Sequence, residues 1–171
     1  MSSAINIRKA TARDLEQFAK NVQSVADEGR YLFVEEVTEE RKKSMGRLFR
    51  KKDCLVLVAE VGKGKSRRQV GSVTLSRYGD ANKSGHIRVL GMLVIKGYRG
   101  RGIGTELIAR ALDWARSQKK VEKVCLGVFS GNQNAFRLYQ KFGFQVEGVK
   151  KRQYYIEGKP EDEIEMALFV K

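Results

Sequence analysis

A glycine-rich segment from Val94 to Thr105 constrains the fold of this chain more than any other feature. It begins at the end of an apolar run typical of a strand and leads into 104–118, an amphipathic run typical of a helix. The start of a helix leaves several backbone N–H groups without partners and carries partial positive charge, so it attracts phosphate. Because glycine has no side chain to hold an anion away from those groups, the segment predicts a phosphate-binding loop.

The rest of the chain alternates between strand-like and helix-like runs. Alternating or continuous apolar residues predict strands at 4–9, 54–61, 70–78, 86–95, 121–129, 144–155 and 163–171. Apolar residues three and four positions apart predict helices at 104–118 and 134–142, and two more that begin after Thr11 and after Thr38. Thr11 can cap the first of these helices, and Asp14, three residues later, can complete the capping box. This order predicts one α/β (α+β) domain over residues 1–171, with a mixed sheet and helices on both faces.

Charge and apolar content limit the partners and the location of the protein. Lys and Arg outnumber Asp and Glu by 34 to 20, which gives a formal charge of +14 and favours anionic partners. The basic clusters are scattered and have few aromatic residues between them, so we expect a solvated surface; nucleic acid is not excluded by charge alone. No apolar run approaches the ~20 residues of a membrane span, and residues 1–13 do not resemble a signal peptide, so we predict a cytoplasmic protein without a membrane partner.

The two cysteines, Cys54 and Cys125, lie in separate apolar runs. Neither has the spacing to a second thiol or histidine that a zinc site or a redox pair needs. We therefore predict buried free thiols and no metal site.

Two common phosphate-binding templates do not fit the glycine-rich segment. A nucleotide P-loop needs Gly-x-x-x-x-Gly-Lys-Ser/Thr, but Ile103 follows Gly102, and the Gly-Lys-Ser run at 64–66 has Ala59 where the first glycine is needed. A dinucleotide fingerprint needs Gly-x-Gly-x-x-Gly, but position 105 is threonine, and the segment follows several strands rather than the first.

The pattern Arg/Gln-x-x-Gly-x-Gly/Ala does fit, through Arg99, Gly102 and Gly104. Downstream, an Asn-x-x-Ala-x-x-x-Tyr-x-Lys-x-Gly-Phe segment occupies 132–144. With these two motifs the chain resembles the GNAT superfamily of N-acetyltransferases. The resemblance spans nearly the whole chain, and it is strong at 89–144 but weak at 29–37 and 150–162.

The resemblance implies a single GNAT-type acyl-CoA N-acyltransferase domain with a mostly antiparallel central sheet and acetyl-CoA as the acetyl donor. In that family the strand before the loop holds the pantetheine arm through its backbone, and the loop amides bind the pyrophosphate. The implied cofactor-binding residues are Met92, Leu93, Val94, Arg99, Gly100, Arg101, Gly102, Ile103, Gly104, Thr105, Asn132, Ala135 and Tyr139. The Tyr139 hydroxyl is the implied catalytic acid near the sulfur of coenzyme A.

Acetyl transfer to an amine depends most on the removal of a proton from that amine. Deprotonation of an amine with a pKa near 10.4 at pH 7 costs roughly 4–5 kcal/mol, whereas protonation of the departing thiolate gains only about 2 kcal/mol. Many relatives with a similar Leu-Gly run have a glutamate just before it, where this chain has Val89. Glu35, Glu36, His86 and a chain of water molecules remain as candidate bases.

The sequence thus predicts an N-acetyltransferase that acetylates a primary amine of a small molecule, a protein N-terminus or a lysine. A non-catalytic coenzyme A-binding protein, or a basic nucleic-acid-associated protein with the same fold, is the alternative. The charge of +14 argues against a polycationic acceptor, unless the acidic residues at 35–36 and 161–163 form a negatively charged entrance to the site. The acceptor, the acyl-chain preference and the oligomeric state stay open, and the closing strands could form a homodimer.

Overall fold

The computed structural model describes residues 5–79 and 82–171, and within them four α-helices flank a seven-stranded mixed sheet. The elements are β1 (Asn6–Lys9), α1 (Leu15–Ala26), α2 (Glu39–Leu48), β2 (Leu55–Val61), β3 (Arg68–Arg77), β4 (Ile87–Val94), α3 (Ile103–Ser117), β5 (Lys123–Phe129), α4 (Gln133–Lys141), β6 (Gln145–Ile156) and β7 (Lys159–Phe169). The predicted fold class and element order are confirmed. Ala4, the start of the first predicted strand, lies outside the described residues.

The strands lie in the order β1-β2-β3-β4-β5-β7-β6. Neighbouring strands are antiparallel except β4 and β5, which are parallel and pair only from Ile87 opposite Lys123 to Val89 opposite Cys125. Beyond Val89 the two strands separate. The sheet is therefore mostly antiparallel, as predicted, and it opens in its middle.

The last strand begins four residues earlier than its apolar alternation predicts. Glu157 and Gly158 both have positive φ, at 50° and 75°, and they form the turn of a tight hairpin between β6 and β7. Pro160 is consequently a strand residue opposite Tyr155. Glutamate is a weak turn signal, so the sequence pattern missed this hairpin.

Helix α3 covers β2, β3 and β4 with the apolar side that its sequence predicts. Its inward residues are almost completely buried: Leu107, Ile108, Ala111, Leu112 and Ala115. This packing fixes the start of α3 at the open end of the gap between β4 and β5. Within the described residues, no helix is long and apolar enough to cross a membrane.

An ion-pair cluster fastens β1 to β2 and to the start of α1. Arg8 Nη2 lies 2.7 Å from Asp14 Oδ1 and 2.6 Å from Glu60 Oε1. The Asp14 carboxylate also accepts hydrogen bonds from the N–H and the hydroxyl of Thr11, so the predicted capping partners do meet. The hydrogen bonds from Arg8, followed by those from Thr11, lower the pKa of Asp14 to about 2.

We expect Asp14→Asn to lower the free energy of unfolding at pH 7 by about 1–3 kcal/mol, because the charged hydrogen bonds are lost. The folded-state pKa of Asp14 lies below its unfolded value, so its contribution is present above about pH 4 and disappears as the pH falls toward 2. Urea unfolding at pH 7 and pH 3 measures this difference, with Asp27→Asn as an exposed control. An equal loss at both pH values would contradict the assignment.

Candidate active site

The gap between β4 and β5 forms a cleft of about 680 Å³, bordered by both strands, the start of α3 and helix α4. The Ile95 N–H donates to the Val70 carbonyl, and the Ile87 carbonyl accepts from the Tyr78 N–H, so odd-numbered positions of β4 bond to β3. Backbone groups alternate in direction along a strand, and β4 pairs with β3 without a bulge. Even-numbered positions such as Met92 therefore turn their N–H and C=O groups toward the gap.

The glycine-rich loop closes one end of the cleft. Gly97, Gly100 and Gly102 have positive φ values of 86°, 73° and 80°, a conformation that favours glycine. Gly102 is the N-cap of α3, and the first intrahelical hydrogen bond runs from the Glu106 N–H to the Gly102 carbonyl. The N–H groups of residues 103–105 thus lack intrahelical acceptors. Within ranges 5–79 and 82–171, a Cβ at Gly100 or Gly102 would meet no atom within 4 Å, so the space beside the loop can hold an anion.

Gly104 is needed for a different reason from the one its motif suggests. A Cβ built at Gly104 would lie 3.3 Å from Leu138 Cδ2 and 3.4 Å from Met92 Cε. The small residue thus lets the first turn of α3 approach both α4 and β4 closely. It sets the width of the cleft in addition to exposing the amides.

Arg99 stabilises the loop through contacts with other parts of the protein. Its Nε donates to the Val94 carbonyl at 2.8 Å, and Nη1 and Nη2 donate to the two carboxylate oxygens of Glu28 at 2.7 and 2.6 Å. Its guanidinium also lies 4.4 Å from the centre of the Tyr31 ring. These hydrogen bonds lower the pKa of Glu28 and pair the charge of Arg99. Arg99 therefore orders the loop, and the backbone amides are the groups left for phosphate.

Helix α4 brings three residues of the second motif to the cleft. Asn132 caps the helix, and its Oδ1 accepts a hydrogen bond from the Ala135 N–H at 3.3 Å. Its Nδ2 makes no hydrogen bond with any residue that the structure describes. Ala135 and Tyr139 follow on the same side, and Tyr139 is only 6% exposed. Burial raises the pKa of Tyr139 to about 12, so its hydroxyl keeps its proton at ordinary pH and can donate it.

The cleft collects nearly the whole predicted cofactor set. The residues that line it are Met92, Leu93, Val94, Arg99, Gly100, Gly102, Ile103, Gly104, Thr105, Asn132, Ala135 and Tyr139. Arg101 does not line it: its guanidinium lies 5.1 Å from the centre of the Tyr98 ring and the residue is exposed. Its long charged side chain remains in solvent, so only its backbone N–H is left for the predicted role.

None of the three candidate basic side chains lines the cleft. His86 borders a separate hollow with Arg77 and Arg88. Glu35 and Glu36 are exposed residues of the loop between α1 and α2, which we call the acceptor loop (residues 29–37). No group of three or more His, Cys, Asp or Glu that could hold a metal ion occurs in ranges 5–79 and 82–171.

The acceptor loop supplies cleft residues that sequence patterns missed. Tyr31, Leu32 and Phe33 line the cleft, and so does Gly127 of β5, which lies beside the Phe33 ring. The loop has no periodicity from which its direction could be read, so only its aromatic content hinted at a binding role. Arg30 forms an ion pair with Glu157 at the β6–β7 turn, which holds the loop against the hairpin.

The model of the acetyltransferase (GNAT) family matches residues 17–144 of this sequence. The chain therefore belongs to the GNAT acetyltransferase family. A GNAT-family acetyltransferase from Streptococcus pneumoniae has the same fold: the TM-score is 0.84 at 26% identity, over 97% of this chain and 99% of that one. The structure of yncA, a putative acetyltransferase from Salmonella typhimurium with its cofactor acetyl-CoA, matches over 98% of this chain and 95% of its own, with a TM-score of 0.85 at 18% identity.

Curated relatives share only part of their sequence with this chain. A probable spermine N(1)-acetyltransferase from Bacillus subtilis subsp. natto is 32% identical over 71 residues, which are 42% of this chain and 47% of the relative. The Arabidopsis thaliana N-alpha-acetyltransferase MAK3 is 34% identical over 89 residues, 52% of this chain and 45% of the relative. The chain thus spans about half the length of the curated relatives that it matches.

Proposed function

We propose that this protein transfers the acetyl group of acetyl-CoA to a primary amine. The observation that carries the proposal is the cleft in the opened sheet, where free helix-start amides lie at one end and the protonated hydroxyl of Tyr139 lies on a wall. The open space at Gly100 and Gly102 leaves room for a phosphate beside the loop amides. These features fit a long thioester whose pyrophosphate needs amides and whose sulfur needs a proton donor.

Each part of the cleft has one task in this proposal. The amides of residues 99–105 bind the pyrophosphate, and the free backbone edge of β4 binds the pantetheine arm. Backbone N–H groups near Met92 are placed to stabilise the negative charge that develops on the thioester oxygen. Asn132 Nδ2 holds the arm from the α4 side, and the Tyr139 hydroxyl protonates the departing sulfur. Acetyl-CoA supplies the acetyl group as the activated thioester.

The acceptor binds on the other side of the cleft, between the acceptor loop and the β6–β7 hairpin. The relatives named above are a probable spermine N(1)-acetyltransferase and an N-alpha-acetyltransferase, and an Escherichia coli relative is an L-amino acid N-acetyltransferase. All three acceptors are amines, which supports a primary amine here. Their matches cover about half of this chain, so the choice among small amines, protein N-termini and lysines rests on the local residues.

Coenzyme A release measured across amine classes tests the proposal. We expect release to require both acetyl-CoA and one class of amine, and mass spectrometry to find the N-acetylated product. If acetyl-CoA binds but no amine causes release, the protein is a non-catalytic coenzyme A-binding protein. Tight, salt-sensitive nucleic-acid binding without turnover would favour the basic alternative. The cytoplasmic location, the absence of a metal and a homodimer stay predictions from the sequence.

A further inference from the structure

The face of the sheet that carries Val89 also carries a mostly buried carboxylate. Val89 of β4 pairs with Cys125 of β5, and Phe129, four residues further along β5, pairs with Glu163 of β7. Paired residues point to the same face, and so do residues two or four apart along a strand. Glu163 therefore lies on the face of the missing β4 glutamate, two strands away.

The Glu163 carboxylate lies directly against the wall of the cleft. A Cβ built at Gly127 would be 2.7 Å from Glu163 Oε1 and 3.2 Å from the Phe33 ring, and both Gly127 and Phe33 line the cleft. Glycine at this position thus makes room for the carboxylate and the ring together. The Glu163 side chain is only 12% exposed, so its charge acts where water screens it little.

The two carboxylate oxygens of Glu163 differ in their hydrogen-bond partners. Oε2 accepts a hydrogen bond from the Tyr154 hydroxyl at 3.3 Å, and Lys150 Nζ lies 3.6 Å from it. Oε1, the atom nearer to Gly127, makes no hydrogen bond with any described residue. A mostly buried carboxylate with one unbonded oxygen can accept a proton or bind an ammonium group.

Aromatic rings surround this position on the acceptor side. The centres of the Phe33 and Phe129 rings are 4.5 Å apart, and the Tyr154 ring lies 5.2 and 5.3 Å from them. Aromatic faces attract cations, and together with one carboxylate they favour an ammonium group over a neutral or anionic acceptor. A carboxylate with one unbonded oxygen beside aromatic rings provides a partner for one ammonium group at the reacting end.

We propose that Glu163 binds the ammonium group of the acceptor and takes the proton that its nitrogen loses during acetyl transfer. This role rests on the proposed function. One ammonium proton passes to solvent before attack. The second passes to Glu163 as the C–N bond forms and the C–S bond breaks, and the thiolate takes the proton of Tyr139. Glu163 then releases its proton to solvent, and Tyr139 regains one from solvent, so one proton is released overall.

Glu163→Gln tests this role, with Glu165→Gln as the matched control. Glu165 lies two residues along β7 on the same face, but it pairs with Lys150 at 2.8 Å, and its Oε2 lies 3.3 Å from a Cβ built at Gly148 of β6. With an accepted amine at pH 7.5, we expect Glu163→Gln to lower kcat/KM about 100-fold, through both kcat and the KM for the amine. Glu165→Gln should stay within about threefold, and the Kd of acetyl-CoA should be unchanged in both.

A pH profile and a conservative variant separate catalysis from folding. The loss of kcat/KM in Glu163→Gln should shrink toward pH 10, where solvent can take the proton. Glu163→Asp should have a kcat/KM about tenfold higher than that of Glu163→Gln. Three results would overturn the role of Glu163 but leave the proposed function standing. They are equal losses of kcat/KM in both glutamine variants, a parallel loss of acetyl-CoA affinity, and a Glu163→Gln enzyme as active as wild type. A wild-type protein that releases no coenzyme A with any amine would overturn the proposed function, and this role with it.

Discussion

Gly102→Val should weaken acetyl-CoA binding about 100-fold or more, which is about 2.7 kcal/mol of binding free energy. Gly102 has φ of 80°, and a β-branched side chain is strained at that angle. No atom of the described residues lies within 4 Å of the added Cβ, so the new methyl groups would project into the space left for the pyrophosphate. The weakening therefore comes from strain in the loop and from an anion held away from the amides. Titration calorimetry with acetyl-CoA measures it directly.

Gly97→Val separates these two causes. Gly97 has φ of 86° and equally open surroundings, but it does not line the cleft. The two variants should lose similar thermal stability, while Gly97→Val should keep acetyl-CoA affinity within about tenfold of wild type. A folded Gly102→Val protein with wild-type affinity would show that the pyrophosphate binds elsewhere.

Tyr139→Phe should lower kcat about 100-fold and leave the Kd of acetyl-CoA nearly unchanged. The substitution keeps the ring, which lies 5.8 Å from the ring of Phe144, and removes only the hydroxyl. A positioned general acid contributes typically 10²-fold to 10⁴-fold, and we expect the low end because a thiolate is already a tolerable leaving group. Steady-state kinetics with one accepted amine measures the effect, and Tyr155→Phe makes the same chemical change at an exposed position.

The pH dependence gives this prediction a second readout. Because the pKa of Tyr139 is about 12, its hydroxyl is protonated up to about pH 11, and wild-type activity should show no loss below pH 10 from its ionisation. The loss of kcat in Tyr139→Phe should shrink when the acyl donor has a thiol of lower pKa, because such a thiolate departs more readily without protonation. A kcat within threefold of wild type at neutral pH would rule out Tyr139 as the acid.

The sequence predicted most of the residues that meet at the cleft because the constraints on them are local. A helix start, a glycine loop and motif residues three and four positions apart are set by helix geometry, so Asn132, Ala135 and Tyr139 could be placed together from their spacing. The role of Arg99 could not be foreseen in the same way, because its partner Glu28 lies 71 residues earlier in the chain. A pattern of glycine and arginine describes the loop, but it does not say what the arginine contacts.

The position of Glu163 beside the cleft could not be predicted because it depends on long-range register. Glu163 reaches the wall of the cleft only through the pairing of β7 with β5 and the absence of a side chain at Gly127. A one-residue shift in that pairing would turn the carboxylate to the other face of the sheet. The tight turn at 157–158, which extends β7 and helps to set its position, has no strong turn residue in its first place. The sequence alone therefore offers no basis for choosing the base among Glu35, Glu36, His86 and water.

The two ion pairs at the start of the acceptor loop bear on how acceptor choice could diverge or be redesigned. Glu28 joins the beginning of the loop to Arg99, and Arg30 joins the loop to the hairpin turn at Glu157. The loop and the hairpin are thus joined to each other and can be exchanged together. Glu28, in contrast, contacts Arg99 and belongs to the part of the protein that shapes the glycine-rich loop. A chimera that exchanges residues 29–37 together with 150–162 keeps both junctions compatible, whereas a graft that removes Glu28 would disturb donor binding along with acceptor choice.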